Sequence, residues 1–365
     1  MVILWLANWL LLPLLLATAS CTTCDASSLT EFPSDNKRFI IAGYLPNYRS
    51  YINVNHTALV LTDLILFSME PDSSGSLRGR CCLDSSHYSL ARKAQAYKAT
   101  HTTTNTTPSL QDKLNLWVSI GGAGRSTAFP AIVSNSTATL LLLTELIALC
   151  QKEGFNGIDF DWEQPTTEEE YGLYCQFLIN AANALHRVNL LVSVTTRQTF
   201  ASNVVNAVDR ILFMGYDLLY PNGPKHHAHY QIVTQTIDQW MSKYNYPSQV
   251  IVLGLPAYAR HESNPSLVKT FAELVDDGMD PTSLTIGNSW KGYLFDTIHD
   301  ISKKVMYAKQ NHLGGVFFWE LGHDKQNETY APSGWLLEAA GTRVTNITAI
   351  TTASKGHEND ERNEL

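Results

Sequence analysis

The sequence predicts an α/β fold, a single (β/α)8 TIM barrel. Three observations lead there. Eight short β-branched or aliphatic runs, near 39–44, 63–69, 115–120, 157–163, 190–196, 210–216, 250–256 and 314–319, alternate with polar loops and amphipathic segments. The runs are apolar almost throughout, as strands covered on both faces should be. The pattern spans most of a 365-residue chain with no internal repeat, a length that suits one large domain.

The helical segments follow from apolar spacing between the runs. The clearest are 137–152, 167–187, 231–244 and 293–310. The Thr-rich stretch 100–107 reads as a loop, and 349–365 as a polar, disordered tail. Residues 1–20 read as a signal peptide: Met1 to Ala19 carries no charge, and small residues at Ala17 and Ala19 suit cleavage. Pro13 interrupts that run, so no stable membrane anchor is expected after cleavage.

Composition narrows the partners. The net charge of −8 and the lack of a basic run argue against nucleic acid. Sequons at Asn55, Asn105, Asn135, Asn327 and Asn346 point to N-glycosylation in a secretory pathway. The chain has six cysteines, Cys21, Cys24, Cys81, Cys82, Cys150 and Cys175. In an oxidising compartment disulfides are expected, with Cys150 and Cys175 as a pair because both flank the acidic strand described next. The last four residues, Arg362-Asn363-Glu364-Leu365, resemble the K-D-E-L class of retrieval signals; an accidental acidic tail is the other reading. Extracellular and ER-retained locations both stay open.

The most informative run is Phe155-Asn156-Gly157-Ile158-Asp159-Phe160-Asp161-Trp162-Glu163. Side chains alternate along a strand, so Asp159, Asp161 and Glu163 share one face, with Ile158, Phe160 and Trp162 on the other. Buried like charges cannot all stay ionised, which pushes their pKa values apart as acid–base chemistry requires. A solvated acidic face or a divalent-cation site are the bland alternatives. A hard cation wants more oxygen ligands than one strand face offers. In a barrel, catalytic residues belong at the carboxyl ends of strands, where Glu163, Tyr216-Asp217, Tyr258 and Trp319 fall.

Asn156-Gly-Ile-Asp-Phe-Asp-Trp-Glu163 resembles the fourth-strand signature D-G-x-D-x-D-x-E of glycoside hydrolase family 18, the chitinase family. Ser119-Ile-Gly121-Gly122 is similar to the family's S-x-G-G, and Met214-Gly-Tyr216-Asp217 to its M-x-Y-D. Gly254-Leu-Pro-Ala-Tyr258-Ala-Arg260, Gly314 to Trp319 and Gly43-Tyr44 resemble its seventh-, eighth- and first-strand blocks. The six blocks run in order from about residue 39 to 324, inside an expected catalytic domain at 36–345.

The resemblance implies a retaining, substrate-assisted hydrolase of β-1,4-linked N-acetylglucosamine, acting on chitin or chito-oligosaccharides without metal or other cofactor. It implies Glu163 as general acid, kept protonated by Asp161. Asp161 orients the substrate's 2-acetamido group, Asp159 shares a proton with Asp161, and Tyr216 binds the acetamido carbonyl. Tyr44, Gly122, Met214, Asp217, Tyr258, Arg260 and Trp319 are implied as substrate-binding, with Trp319 as an apolar floor. Ser119, Gly121 and Asn156 are implied as structural residues near the site. Asn156 departs from the signature's first Asp, and Ala259 from a Gly. The stretch between the seventh and eighth strands is too short for a full α+β insertion domain, which favours a shallow, endo-acting cleft. The alternatives are an endo-β-N-acetylglucosaminidase acting on N-glycans and a non-catalytic chitinase-like lectin. The histidines of His226-His227-Ala228-His229 are expected to be solvated rather than bound to metal, and the protein to be a monomer.

Overall fold

The computed structural model describes residues 38–49, 52–77, 83–102, 113–220, 222–283 and 287–342. The expected signal peptide and polar tail lie outside the described residues, as do Cys21, Cys24, Cys81 and Cys82, most of the Thr-rich loop, and the sequons at Asn105 and Asn346. No helix among the described residues is long and apolar enough to cross a membrane.

The chain alternates strand and helix. β1 (Ile40–Pro46), α1 (Val54–Val60), β2 (Asp63–Met69), α2 (Ser85–His101) and β3 (Asn115–Gly121) come first. Next are α3 (Phe129–Val133), α4 (Ser136–Glu153), β4 (Gly157–Asp161), α5 (Glu168–His186), β5 (Leu191–Thr196), α6 (Ser202–Val205) and β6 (Arg210–Phe213). Then follow α7 (Tyr230–Lys243) and β7 (Ile251–Pro256). A small excursion of β8 (Tyr258–His261), β9 (Val268–Thr270), α8 (Phe271–Asp276), β10 (Ser289–Trp290) and β11 (Tyr293–Leu294) leads to α9 (Ile298–Gln310) and β12 (Gly315–Trp319).

β1 to β7 and β12 close into a parallel eight-stranded barrel, the predicted (β/α)8 fold. The excursion forms an antiparallel sheet of order β10-β11-β8-β9 with one short helix, well short of a full insertion domain.

Local chemistry fixes the helices. The Asn135 side chain accepts from the backbone N–H groups of Thr137 and Ala138 to start α4, and Gly154 ends it in the left-handed region at φ 80°. Thr167 caps α5, whose first turn holds Glu168, Glu169 and Glu170 where the helix dipole favours negative charge. A capping box between Thr297 and Asp300 starts α9, five residues later than the apolar spacing implied, because Tyr293 and Leu294 belong to β11.

One apolar layer lies between the barrel and the helices, and a second fills the barrel. The amino end of the barrel is closed by a buried ion pair. Arg210 Nη1 lies 3.0 Å from Asp63 Oδ1, and Trp117 Nε1 donates to the same oxygen at 2.7 Å. The Arg210 guanidinium stacks on Trp117, 4.4 Å from the ring centre.

The expected Cys150–Cys175 disulfide is absent; both are free thiols. Cys150 faces Tyr88 of α2, whereas Cys175 faces Tyr171 and Tyr246 on the other flank of the helix pair. Burial pushes the Cys150 thiol up to about 12, which makes it inert.

Candidate active site

Strand register builds the floor of the site. Asp159 of β4 pairs with Ser119 of β3 on one side and Ser193 of β5 on the other, so all three point into the barrel together. Asp159 is fully buried. Its Oδ2 accepts from Ser119 at 2.8 Å and from Tyr44 at 2.9 Å. Its Oδ1 accepts from Ser193 at 2.8 Å and from Thr195 at 2.9 Å. Burial raises the Asp159 pKa, and the four hydroxyls oppose that rise. With both oxygens committed to donors, Asp159 suits the ionised form, and the expected proton sharing with Asp161 is not among its hydrogen bonds.

Tyr44 therefore has a different place from the sugar contact implied by sequence. It is buried, and its hydroxyl serves Asp159 and Thr195. An inward-pointing residue on a barrel strand can lie at any depth, and period-2 spacing does not tell which.

Asp161 sits one layer higher and is 2 % exposed. Its pKa is pushed well above the usual carboxylate range by burial, then by the charges of Glu163 and Asp159. Of the three carboxyls, Asp161 is therefore the most disposed to hold a proton. The turn after β3 makes room for it. Gly121 and Gly122 have φ of 95° and 94°, and the Gly122 N–H donates to the Asp161 carbonyl at 2.6 Å. A Cβ on Gly122 would stand 2.2 Å from the Phe67 ring and 3.4 Å from Asp161 Oδ2.

β4 ends at Asp161, two residues before the expected limit, so Glu163 projects from the loop at the barrel mouth. Its backbone N–H donates to Ser126 Oγ at 3.1 Å, and its carboxylate is 23 % exposed. Burial raises the Glu163 pKa, Arg197 lowers it and Asp217 raises it. Asp217 is thus a second carboxylate, beside Asp161, whose repulsion favours the protonated form of Glu163. Arg197 escaped the sequence reading. It donates from Nη2 to Glu163 Oε2 at 3.2 Å, and its place at the carboxyl end of β5 was the available signal.

β6 ends at Phe213, and Met214 to Asp217 form the loop that follows it. Met214 is buried and bonds to the Thr196 carbonyl at 3.0 Å. Tyr216 is buried edge-on to Tyr258 and Phe317. Burial, then the charges of Tyr258, Glu163 and Asp161, keep its hydroxyl protonated. Arg260 Nε and Nη2 reach Asp217 Oδ1 and Oδ2 at 2.5 and 2.7 Å, so Arg260 is a structural anchor for Asp217.

His227 completes that clamp. It is fully buried, with Nδ1 3.1 Å from Asp217 Oδ1 and Nε2 3.2 Å from the Tyr258 carbonyl. His226 stacks on it and lies 3.7 Å from Asp296, which pairs with buried Lys304 at 2.5 Å. The two histidines are thus packed beneath the barrel mouth instead of solvated. Burial opposes ionisation of Asp217, but hydrogen bonds from His227 and Arg260 hold its carboxyl well below the usual range.

Trp319 ends β12 with its ring edge-on to Phe67 and Tyr44, at 4.7 and 5.4 Å between centres. The next residue, Glu320, is buried and bound by Arg49 at 2.7 Å, which steadies the strand end. Asn156 lies elsewhere. It precedes β4 at the amino end of the barrel, about 16 Å along the strand from Asp161. Its Oδ1 accepts from the Leu116 N–H at 2.9 Å, so it ties β3 to β4 and is remote from the carboxylates. Among the described residues no group of three or more His, Cys, Asp or Glu is placed to hold a metal ion.

Comparison with known proteins agrees with this geometry. The sequence profile of the glycosyl hydrolases family 18 matches residues 40–324. Nod factor hydrolase protein 1 of Medicago truncatula is 27% identical over 281 residues, 61% of this chain and 72% of its own length. A class V chitinase of Arabidopsis thaliana is 25% identical over 312 residues, 67% of this chain and 78% of its own. Among solved structures, a chitinase from the chitin utilization locus of Flavobacterium johnsoniae superposes with a TM-score of 0.70 at 21% identity, covering 86% of this chain and 96% of its own. A Cycas revoluta chitinase solved in complex with (GlcNAc)3 has a TM-score of 0.66 at 18% identity, over 83% of this chain and 99% of its own. A profile match over most of the barrel, carrying the acidic fourth strand with it, shows that this chain belongs to the glycosyl hydrolases family 18 and is a glycoside hydrolase.

Proposed function

We propose that the protein is a retaining, substrate-assisted endo-hydrolase of β-1,4-linked N-acetylglucosamine in chitin or chito-oligosaccharides. The observation that carries this reading is the ladder of carboxyls at the barrel mouth: Asp159 held by four hydroxyls, Asp161 buried above it with its pKa pushed up, and Glu163 at the opening. The chitinase names of its relatives support the same substrate class.

Glu163 protonates the departing glycosidic oxygen. The oxygen of the sugar's own 2-acetamido group attacks the anomeric carbon, in place of a carboxylate nucleophile. Asp161 orients the acetamido N–H, and the Tyr216 hydroxyl donates to its carbonyl oxygen, which holds the reacting atoms close. Water then opens the cyclic intermediate, and the ionised Glu163 takes a proton from that water as it attacks, which restores the acid. Trp319 supplies an apolar surface beneath the sugar. Gly122, Met214, Asp217 and Tyr258 line or brace this space.

The secretory signal, the glycans on exposed Asn135 and Asn327, and a monomeric state belong to the same proposal. The test of substrate is incubation of the protein with soluble chito-oligosaccharides and, separately, with a high-mannose glycopeptide. Cleavage of the oligosaccharides with the β-anomer as first product supports the reading. Release from the glycopeptide alone transfers the activity to N-glycans.

A further inference from the structure

We propose that Arg197 is a positioning residue for Glu163, an ionic latch that holds the carboxylate ionised and in place in the empty cleft and lets it go when a sugar enters. This rests on the reading of Glu163 as the general acid.

Register brings the two together. Asp159 pairs with Ser193 and Phe160 with Val194 across the parallel β4–β5 ladder. The same offset of 34 residues carries Glu163 beside Arg197, where Nη2 meets Oε2 at 3.2 Å. The pairing is thus a consequence of which residue type follows β5.

Three features separate this contact from an ordinary structural ion pair. It is single-pronged, whereas Arg260 engages both oxygens of Asp217 and the Pro265 carbonyl. Among the described residues Arg197 makes no other hydrogen bond or ion pair. Both side chains are partly open to solvent, at 28% and 23% exposed, so the contact can break without stranding a buried charge.

The surroundings of Glu163 set what the latch does. From β4 it faces Asp161, from the loop after β6 it faces Asp217 and Tyr216, and from the turn after β3 it receives the Ala123 N–H. Asp217 is already bound by Arg260 and His227. Arg197 is therefore the cation in direct contact with Glu163, and it opposes the burial that would otherwise protonate the acid. An incoming leaving-group sugar competes for the same carboxylate oxygen. Once Arg197 is displaced, the main opposition to burial is gone and Glu163 takes up the proton it must donate.

The sign of the effect follows. A general acid fails as pH rises through its pKa, and a neighbouring cation lowers that pKa. Replacing Arg197 by Gln should move the alkaline limb of kcat/KM on chito-oligosaccharides upward by about one pH unit. The limb of kcat, which reports the loaded enzyme, should move less. Arg197→Lys, which keeps the charge, should restore the limb of kcat/KM. An unchanged alkaline limb in Arg197→Gln, or a uniform loss of rate at every pH, would overturn the latch. Failure of the underlying reading shows separately, as full activity in Glu163→Gln.

Discussion

Arg260 grips both carboxylate oxygens of Asp217, at 2.5 and 2.7 Å, from the strand that begins the small excursion after β7. Asp217 sits at a positive φ of 57°, so the side chain that fixes it also steadies a strained turn of the barrel mouth. Replacing Arg260 by Ala removes both bonds and leaves Asp217 to His227 and Tyr258. We expect a loss of about 1–3 kcal/mol in denaturant unfolding, and a fall in kcat/KM because Tyr216 lies next to Asp217. The family resemblance implied that Arg260 touches substrate; a KM change with unaltered stability would return it to that role.

The same pair has a pH signature. The Asp217 pKa is lower in the folded state than in the unfolded chain. Its contribution to stability is therefore complete above the ordinary carboxylate pKa of about 4 and is lost as pH falls through the folded value. Unfolding of the wild type and Arg260→Ala followed from neutral to strongly acidic pH should show the stability gap closing only in strong acid.

The hydroxyl cage around Asp159 makes a further prediction. Ser193→Ala deletes one donor to a buried carboxylate, at a cost of about 1–3 kcal/mol. The double variant with Ser119→Ala should lose more and also slow catalysis, because Asp159 then competes with Asp161 for the cluster's proton. Urea titration and steady-state rates on chito-oligosaccharides check both effects.

Gly122→Ala should be poorly tolerated. The backbone stands at φ 94°, and the new methyl carbon meets the Phe67 ring at 2.2 Å. Strain and overpacking together amount to about 2 kcal/mol or more. Since Phe67 packs on Trp319, activity should fall beyond the loss of folded protein. Circular dichroism melts beside activity per folded molecule separate the two.

Asn156→Asp restores the residue that the family signature carries there. The position lies at the amino end of β4, and an Asp oxygen can accept from Leu116 as Asn156 does. We expect the pH–rate profile to stay unchanged and stability to move by less than about 1 kcal/mol. A displaced profile would mean that charge at the amino end of β4 reaches the acid at the other.

The barrel was legible because each of its strands is an apolar run bounded by loops, and all eight were read within a few residues. The ends of β4 and β6 were not, since the alternation in Trp162-Glu163 and Gly215-Tyr216 continues after the chain has turned into a loop. Asp159, Asp161 and Glu163 stood out because spacing on one strand is a local property. Tyr44 and Arg197 were misplaced or missed because their roles depend on neighbouring strands. The serine pairing of Asp159 likewise needs the β3–β4–β5 register before Ser193 becomes visible. The histidines after β6 look polar in sequence, yet Asp217, Asp296 and Lys304 give His226 and His227 reasons to be buried.

The central claim is that Glu163 donates the proton that breaks the glycosidic bond. Its most direct test is the turnover of soluble chito-oligosaccharides by Glu163→Gln, a change that keeps the shape and removes the acid. A fall of about 10²–10⁴-fold in kcat, with oligosaccharide binding retained, is the predicted result. Turnover equal to that of the unaltered protein would contradict it.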